Sequence, residues 1–229
     1  MSRRSKGFRP QAVVLLSGGL DSATTLYVAR TKGYRCTCLI VDYGQRHRRE
    51  VKSAKAIALR TGCPFWLIRM KLPWGGSALT SRRISVPKKR SFEKMGQGIP
   101  ATYVPARNTI FLSYATSLAE AIGARTIFIG ANAIDFSGYP DCRPAYYKAF
   151  RELIHRGTKA GVEGRSIRIV TPLIRYRKAQ IIRLGIGLGV PYELTWSCYE
   201  GKAHPCGACD SCLLRAKGFQ EAGLVDPAL

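Results

Sequence analysis

Short apolar runs alternate with helical periodicity over residues 13–70, and this alternation constrains the fold more than any other feature of the chain. Residues 13–16, Val-Val-Leu-Leu, have the composition of a buried strand and stop at a hydroxyl and two glycines, Ser17-Gly18-Gly19. Ala23, Leu26, Tyr27 and Arg30 follow at helical spacing, with Asp21 or Ser22 as the expected cap. Residues 36–41 read as a second strand ending at Asp42-Tyr43-Gly44-Gln45, and Val51, Ala54, Ile57 and Ala58 mark one face of a second helix that stops at Thr61-Gly62. Residues 65–70 supply a third strand. Repeated strand-helix units make parallel strands, so the expected fold class is α/β, a doubly wound parallel sheet. Ligands bind beyond the strand C-termini of such sheets, and Ser17 and Asp42 both lie at these ends.

The first strand-helix corner has a chemistry of its own. A tight turn running into a helix start leaves backbone N–H groups unpaired, and the helix dipole adds about half a positive charge there, which suits phosphate. A Walker loop would end in Gly-Lys-Ser/Thr, whereas this chain has Leu20-Asp21-Ser22. An ordinary corner with a convenient serine is the bland alternative. Ser17-Gly18-Gly19-Leu20-Asp21-Ser22 resembles instead the SGGxDS loop of the N-type ATP pyrophosphatases, the PP-loop family, which cradles the pyrophosphate released when ATP adenylates a substrate. The fold implied is adenine nucleotide alpha-hydrolase-like. The resemblance implies ATP contacts at Leu16, Ser17, Gly18, Gly19, Leu20, Asp21, Ser22, Ala23, Thr24, Thr25 and Leu26, with Asp42 near the nucleoside.

Beyond residue 70 the pattern dissolves into a Gly- and Pro-rich stretch, residues 71–106. Segments this long are functional lids or disordered segments, and a surface insertion without duties is an equal alternative for residues 81–97, where Lys88, Lys89 and Arg90 read as solvated. Arg107 and Asn108 then stand near the start of an apolar helix over residues 110–122. A strand at 126–130 runs into a polar and aromatic loop, 131–144, placed where a planar heterocycle could stack. A helix at 145–156, a strand at 167–170 and a helix at 178–188 complete the alternation.

Eight cysteines fall into two groups. Cys36, Cys38, Cys63 and Cys142 are dispersed, while Cys198, Cys206, Cys209 and Cys212 crowd a short tail. Intervals of three let the last three converge across tight turns, with Cys198 completing a tetrahedron. Four thiolates with no open position suit structural zinc, and closing such a site contributes on the order of 10 kcal/mol to folding. An iron-sulfur cluster is the rival and free thiols the bland case. The expected organisation is a PP-loop domain over residues 1–190, with an insertion at 71–106, and a small zinc-binding helical knot over 191–229.

Lys plus Arg number 37 against 14 acids, a net charge of +23, which suits either a nucleic-acid surface or a basic coat that steers anionic ligands. The charges are scattered and no basic helix is interleaved with aromatics, which favours the coat; no stable nucleic-acid partner is expected. No stretch approaches the roughly 18 apolar residues of a membrane span, and the basic start leads into only five apolar residues, so no membrane partner and a cytoplasmic location are expected.

Taken in order, the Ser17 loop, Asp42-Tyr43-Gly44-Gln45-Arg46-His47, Tyr103-Val104-Pro105-Ala106-Arg107-Asn108, the stretch from Asp135 to Arg143, Thr171-Pro172-Leu173 with Lys178, and the four cysteines resemble the 7-cyano-7-deazaguanine synthase family. Ala106 departs from a position that is often glycine there. The resemblance implies a carbon-nitrogen ligase that joins ammonia to 7-carboxy-7-deazaguanine through an acyl adenylate and an amide. Two ATP are consumed, AMP and pyrophosphate leave, and the nitrile feeds queuosine synthesis. It implies ATP, Mg2+ and Zn2+ as cofactors and a homodimer. Ser17, Asp21, Arg107 and Lys178 are the implied catalytic residues, Asp21 capping the helix or helping to place magnesium. Phe136, Tyr139 and Asp141 are the implied deazaguanine contacts, although the aromatics suit core packing equally and Asp42 and Asp141 suit turn or cap duty. His47 fits its helix face better than catalysis. No glutaminase segment is visible, so free ammonia is the expected nitrogen donor. Enzymes that adenylate tRNA, or that conjugate the deazaguanine to a protein amine, are the competing activities, and a nucleotide-binding module with a dead loop is the non-enzymatic one.

Overall fold

The computed structural model describes residues 9–132 and 138–228. Five strands, β1 (Gln11–Leu15), β2 (Arg35–Asp42), β3 (Phe65–Arg69), β4 (Thr126–Ile129) and β5 (Arg168–Val170), form one parallel sheet in the order β3-β2-β1-β4-β5. Val13 is in register with Thr37 on one side and Ile127 on the other, so β1 is the central strand at which the strand order reverses.

Side chains alternate across the pleat, and β1 therefore feeds two cores. Val14 and Leu16 join Leu26, Ile40, Ile57, Ile182 and Phe219 on one face. On the other, Val13 and Leu15 meet Leu39, Leu112, Ile127, Phe150 and Ile169. The first face is covered by α1 (Leu20–Thr31), α2 (Arg49–Arg60), α7 (Lys178–Gly187) and α8 (Asp210–Ala222); the second by α4 (Arg107–Ala121) and α5 (Pro144–Gly157). This is the expected doubly wound arrangement. Two one-turn helices, α3 (Phe92–Met95) and α6 (Lys159–Val162), complete the set and were not visible as periodicity, since four residues are too few to show it. Among the described residues, no helix is long and apolar enough to cross a membrane.

Two expectations change. The insertion is neither a free lid nor a bare surface loop in its middle part. Ala78 and Val86 pack with Cys198, Cys209 and Cys212 in a third apolar cluster, and Lys89 N–H donates to the Ala208 carbonyl. Lys88 and Lys89 are exposed as expected, Lys88 pairing with Glu200 at the surface, but Arg90 is half-buried and pairs with Asp210; Asp210 is 3% exposed, so Arg90 compensates a buried charge at the first residue of α8. The tail, for its part, shares the main core. Phe219 is fully buried with Leu16 and Leu26, and α8 lies so close to α7 that a Cβ on Gly218 would come within 2.4 Å of Lys178 Cγ.

Candidate active site

A cavity of about 240 Å³ opens beyond the C-terminal ends of β1, β2 and β4, at the point where the strand order reverses. Leu15, Val41 and Ile129 line its floor and the Ser17 loop one wall. Gly18 explains the loop's composition. Its φ of +93° is costly for any side chain, and a Cβ there would lie 2.2 Å from the Glu50 carbonyl oxygen at the start of α2. The loop is held in shape internally: Gly18 N–H donates to Ser22 Oγ at 3.2 Å, Gly19 N–H to Ser17 Oγ at 3.2 Å, and Ser17 Oγ donates to Ser22 Oγ at 3.0 Å.

Of the expected ATP contacts, Leu16, Ser17, Gly19, Leu20, Asp21 and Ser22 line the cavity. Ala23, Thr24, Thr25 and Leu26 do not. They are buried in α1, with Thr24 Oγ1 tied to the Leu20 carbonyl and the Tyr192 hydroxyl, because the helix carries them away from its own N-terminus. Asp21 is not the cap of α1: Gly19 occupies that position, and Asp21, in the first turn, is held by Lys178. Lys178 opens α7, is 9% exposed, and lies on the cavity wall as expected.

Asp42 accepts the Gly44 N–H at 3.2 Å, which closes the turn after β2, and the cavity is lined by Val41 and Tyr43 instead. Asp141 serves as a cap: buried, it accepts the Asn108 N–H at 3.3 Å in the first turn of α4, and its neighbours Asn108 and Cys142 line the cavity in its place. Tyr139 does face the cavity, with its hydroxyl hydrogen-bonded to Thr102 Oγ1 at 2.7 Å. Asp135 and Phe136 lie outside the described residues.

Arg107 begins α4, with its guanidinium 6.0 Å from the centre of the Phe111 ring. Burial works against its charge, but Tyr43 and Asp141 facing it outweigh that and push its pKa up. Its Nε, shielded from solvent, has no hydrogen-bond partner among the described residues, so a donor remains for an anionic ligand. Ala106 precedes it in the left-handed region, φ 52° and ψ 22°, a backbone conformation that favours glycine. Burial pushes the pKa values of Tyr43, Tyr139 and Tyr199 up, so near neutral pH these phenols act as uncharged hydrogen-bonding groups.

The tail closes the cavity, which sequence reasoning missed. Trp196, Ser197, Tyr199, Ser211 and Arg215 line it, and Trp196 N–H donates to the Gly18 carbonyl at 3.0 Å. Arg215 is fully engaged with Asp226 at 2.6 and 2.8 Å. His47, expected on a helix face, precedes α2 and lines the cavity, with Nε2 2.9 Å from Glu50 Oε2. Glu50 was also missed. Its place in the first turn of α2, just after the second strand, was the one available signal.

Beneath the cavity wall, the sulfurs of Cys198, Cys206, Cys209 and Cys212 lie within 4.8 Å of one another. Cys206 N–H donates to Cys198 Sγ and Cys209 N–H to Cys206 Sγ, each at 3.3 Å, which favours thiolates. Four clustered sulfurs with amide donors and no adjoining open position fit structural zinc.

The sequence pattern of the family described as "Queuosine biosynthesis protein QueC" matches residues 11–223. Curated relatives carrying the name 7-cyano-7-deazaguanine synthase include one from Nostoc punctiforme, 55% identical over 95% of this chain and 98% of that protein. Another, from Thermosynechococcus vestitus, is 56% identical over 95% and 94%, and a third, from an Anaeromyxobacter species, is 54% identical over 96% and 95%. Among solved structures, an NMN synthetase from Francisella tularensis superposes with a TM-score of 0.49 at 16% identity, covering 96% of this chain and 74% of that one, a likeness too loose to bear on function.

Proposed function

Because the chain belongs to the QueC family of queuosine biosynthesis proteins, we propose that it is an ATP-dependent carbon-nitrogen ligase that converts 7-carboxy-7-deazaguanine and ammonia to 7-cyano-7-deazaguanine. The observation that carries this reading is the cavity itself, which joins the Ser17 loop, Arg107, Lys178 and the aromatic side of Tyr139 in one space.

The carboxylate is a poor electrophile and must first be activated. Its oxygen attacks the α-phosphate of ATP, the bond to the β-phosphate oxygen breaks, and pyrophosphate leaves. The start of α1 presents backbone amides and a positive dipole end to that leaving charge, while the Gly18 and Gly19 N–H groups, bonded to Ser22 and Ser17, hold the loop in shape. Lys178 and Arg107 neutralise phosphate charge from the two sides. Ammonia displaces AMP to give an amide, whose oxygen is adenylated in turn; loss of AMP then leaves the nitrile. Tyr139 offers a ring face and a neutral hydroxyl to the deazaguanine. Magnesium enters with the ATP phosphates, and Asp21 is the carboxylate of the loop itself. Zinc on Cys198, Cys206, Cys209 and Cys212 would hold the tail, and with it Trp196 and Tyr199, against the loop.

Incubation of the purified chain with 7-carboxy-7-deazaguanine, ATP and ammonium should yield the nitrile with two AMP per product by mass spectrometry. A product that stops at the amide, or AMP release that requires tRNA, would overturn this reading.

A further inference from the structure

Among the described residues, two carboxylates line the cavity, and one of them, Asp21, is committed to a lysine. Asp21 gives both oxygens to Lys178 Nζ, each at 2.8 Å. Glu50 Oε2 lies 2.9 Å from His47 Nε2, and no hydrogen bond or ion pair from another of the described residues reaches Oε1. That free oxygen faces the phosphate loop. Measured from the place a Cβ would occupy on Gly19, Glu50 Oε1 lies at 3.3 Å, Ser17 Oγ at 3.4 Å and the Trp196 carbonyl oxygen at 3.6 Å. Three oxygen acceptors from α2, the loop and the tail thus ring the bare face of one glycine, in a cavity otherwise lined by the cations Lys178, Arg107 and Arg215.

We propose that this ring of oxygens, with Glu50 at its centre, binds ammonium and that Glu50 takes the proton that ammonium must lose before it can attack. The assignment rests on the adenylating reading above and adds to it the site of the nitrogen donor. Near neutral pH ammonia is carried almost wholly as the cation, which has no lone pair, so the enzyme needs acceptors for its N–H groups and a base beside the acyl carbon. Magnesium takes oxygens at about 2.0–2.1 Å in octahedral array, whereas ammonium is held through N–H···O bonds of about 2.7–3.2 Å to a few acceptors, and the test below separates the two. Glycine at position 19 is then required for room: any side chain would fill the space the ligand takes.

In the step itself, one proton passes from nitrogen to Glu50 Oε1 as the freed electron pair bonds the acyl carbon. The carbon-oxygen bond to AMP breaks with its electrons on the phosphate oxygen, which takes the second proton from the adduct, and two hydrogens stay on the amide. His47 is a positioning residue: buried to 3% exposure, with Nε2 2.9 Å from Oε2, it holds the carboxylate with Oε1 toward the loop.

The test is Glu50→Gln in the full chain, assayed at fixed pH. The KM for ammonium should rise at least tenfold, while carboxylate-dependent ATP–pyrophosphate exchange stays within threefold of wild type. Hydroxylamine, a free base at neutral pH, should still trap the acyl adenylate as hydroxamate at a rate within threefold, and Glu50→Asp should recover part of the ammonium KM. An unchanged ammonium KM overturns the assignment alone, as does loss of pyrophosphate exchange with a raised magnesium requirement, which would make Glu50 a metal ligand. Absence of exchange in the wild-type chain overturns the adenylating reading and this assignment with it. If Glu50→Gln does not fold, His47→Gln supplies the same comparison: a raised ammonium KM with exchange retained supports the site, and an unchanged KM removes it.

Discussion

Lys178 Nζ lies 2.8 Å from each carboxylate oxygen of Asp21, and so pins the first turn of α7 to the first turn of α1 across 157 residues of sequence. The pair is half-sheltered, with side chains 11% and 23% exposed, and it sits beside the Ser17 loop on the cavity wall. Lys178→Met keeps the stem that packs on Gly218 but leaves Asp21 without its partner. We expect a loss of about 1–2 kcal/mol in stability and a fall of about 10²- to 10³-fold in pyrophosphate exchange. A variant as active as wild type would remove Lys178 from the site.

Ala106 offers the opposite case, a residue whose replacement should help. Its left-handed backbone is costly for alanine and free for glycine, and the side chain is exposed, so nothing else is lost. Ala106→Gly should stabilise by about 1 kcal/mol, raising the melting temperature by about 2–4 °C. Calorimetry of the two chains decides it.

Cys63 should be the reactive thiol of the dispersed set. A hydrogen bond from the Cys38 thiol holds its pKa down to about 6, against burial, which works the other way, whereas burial pushes Cys36 and Cys142 up to about 12. Since the folded pKa lies below the ordinary thiol value of 9.0, the thiolate contributes stability in full above that value, and the contribution is lost as pH falls through about 6. Iodoacetamide labelling followed by peptide mapping should modify Cys63 first, with half-maximal rate near pH 6. A midpoint near the ordinary value would remove the Cys38 hydrogen bond from the account.

Removal of zinc should unsettle the fold before the chemistry. Cys209 is fully buried among Ala78, Val86 and the other sulfurs, and its neighbours in sequence carry the cavity wall. Cys209→Ser should abolish metal content and lower the melting temperature by 10 °C or more, given about 2–4 °C per kcal/mol and a site worth on the order of 10 kcal/mol. Metal analysis and calorimetry give the answer. Full activity lost at an unchanged melting temperature would mean a catalytic metal.

The glycine loop and the four cysteines were legible because each belongs to a local pattern, a turn after an apolar run or a spacing of three, whereas Arg107 and Lys178 were singled out by the family resemblance. Asp42 and Asp141 show the limit of that reasoning. Both stand at polar strand ends as ligand contacts would, yet both spend their oxygens on backbone N–H groups, Gly44 in one case and Asn108 in the other. An acid in a loop carries the same letter whichever donor it meets.

Sequence alone determined the parallel α/β fold, the phosphate loop and the sulfur cluster, since period and spacing act within a few residues along the chain. Tertiary structure decided which surfaces meet. Only when β1 sits between β2 and β4 does the start of α2 bring Glu50 and His47 to Gly19, and only when α8 docks on α7 does Trp196 close over Gly18. The same docking sets Arg90 against Asp210, 120 residues away, and turns one expected solvent cation into a support for the cysteine cluster. These contacts join residues far apart in the chain, and their geometry follows from packing two cores against one twisted sheet, which no local pattern of residues records.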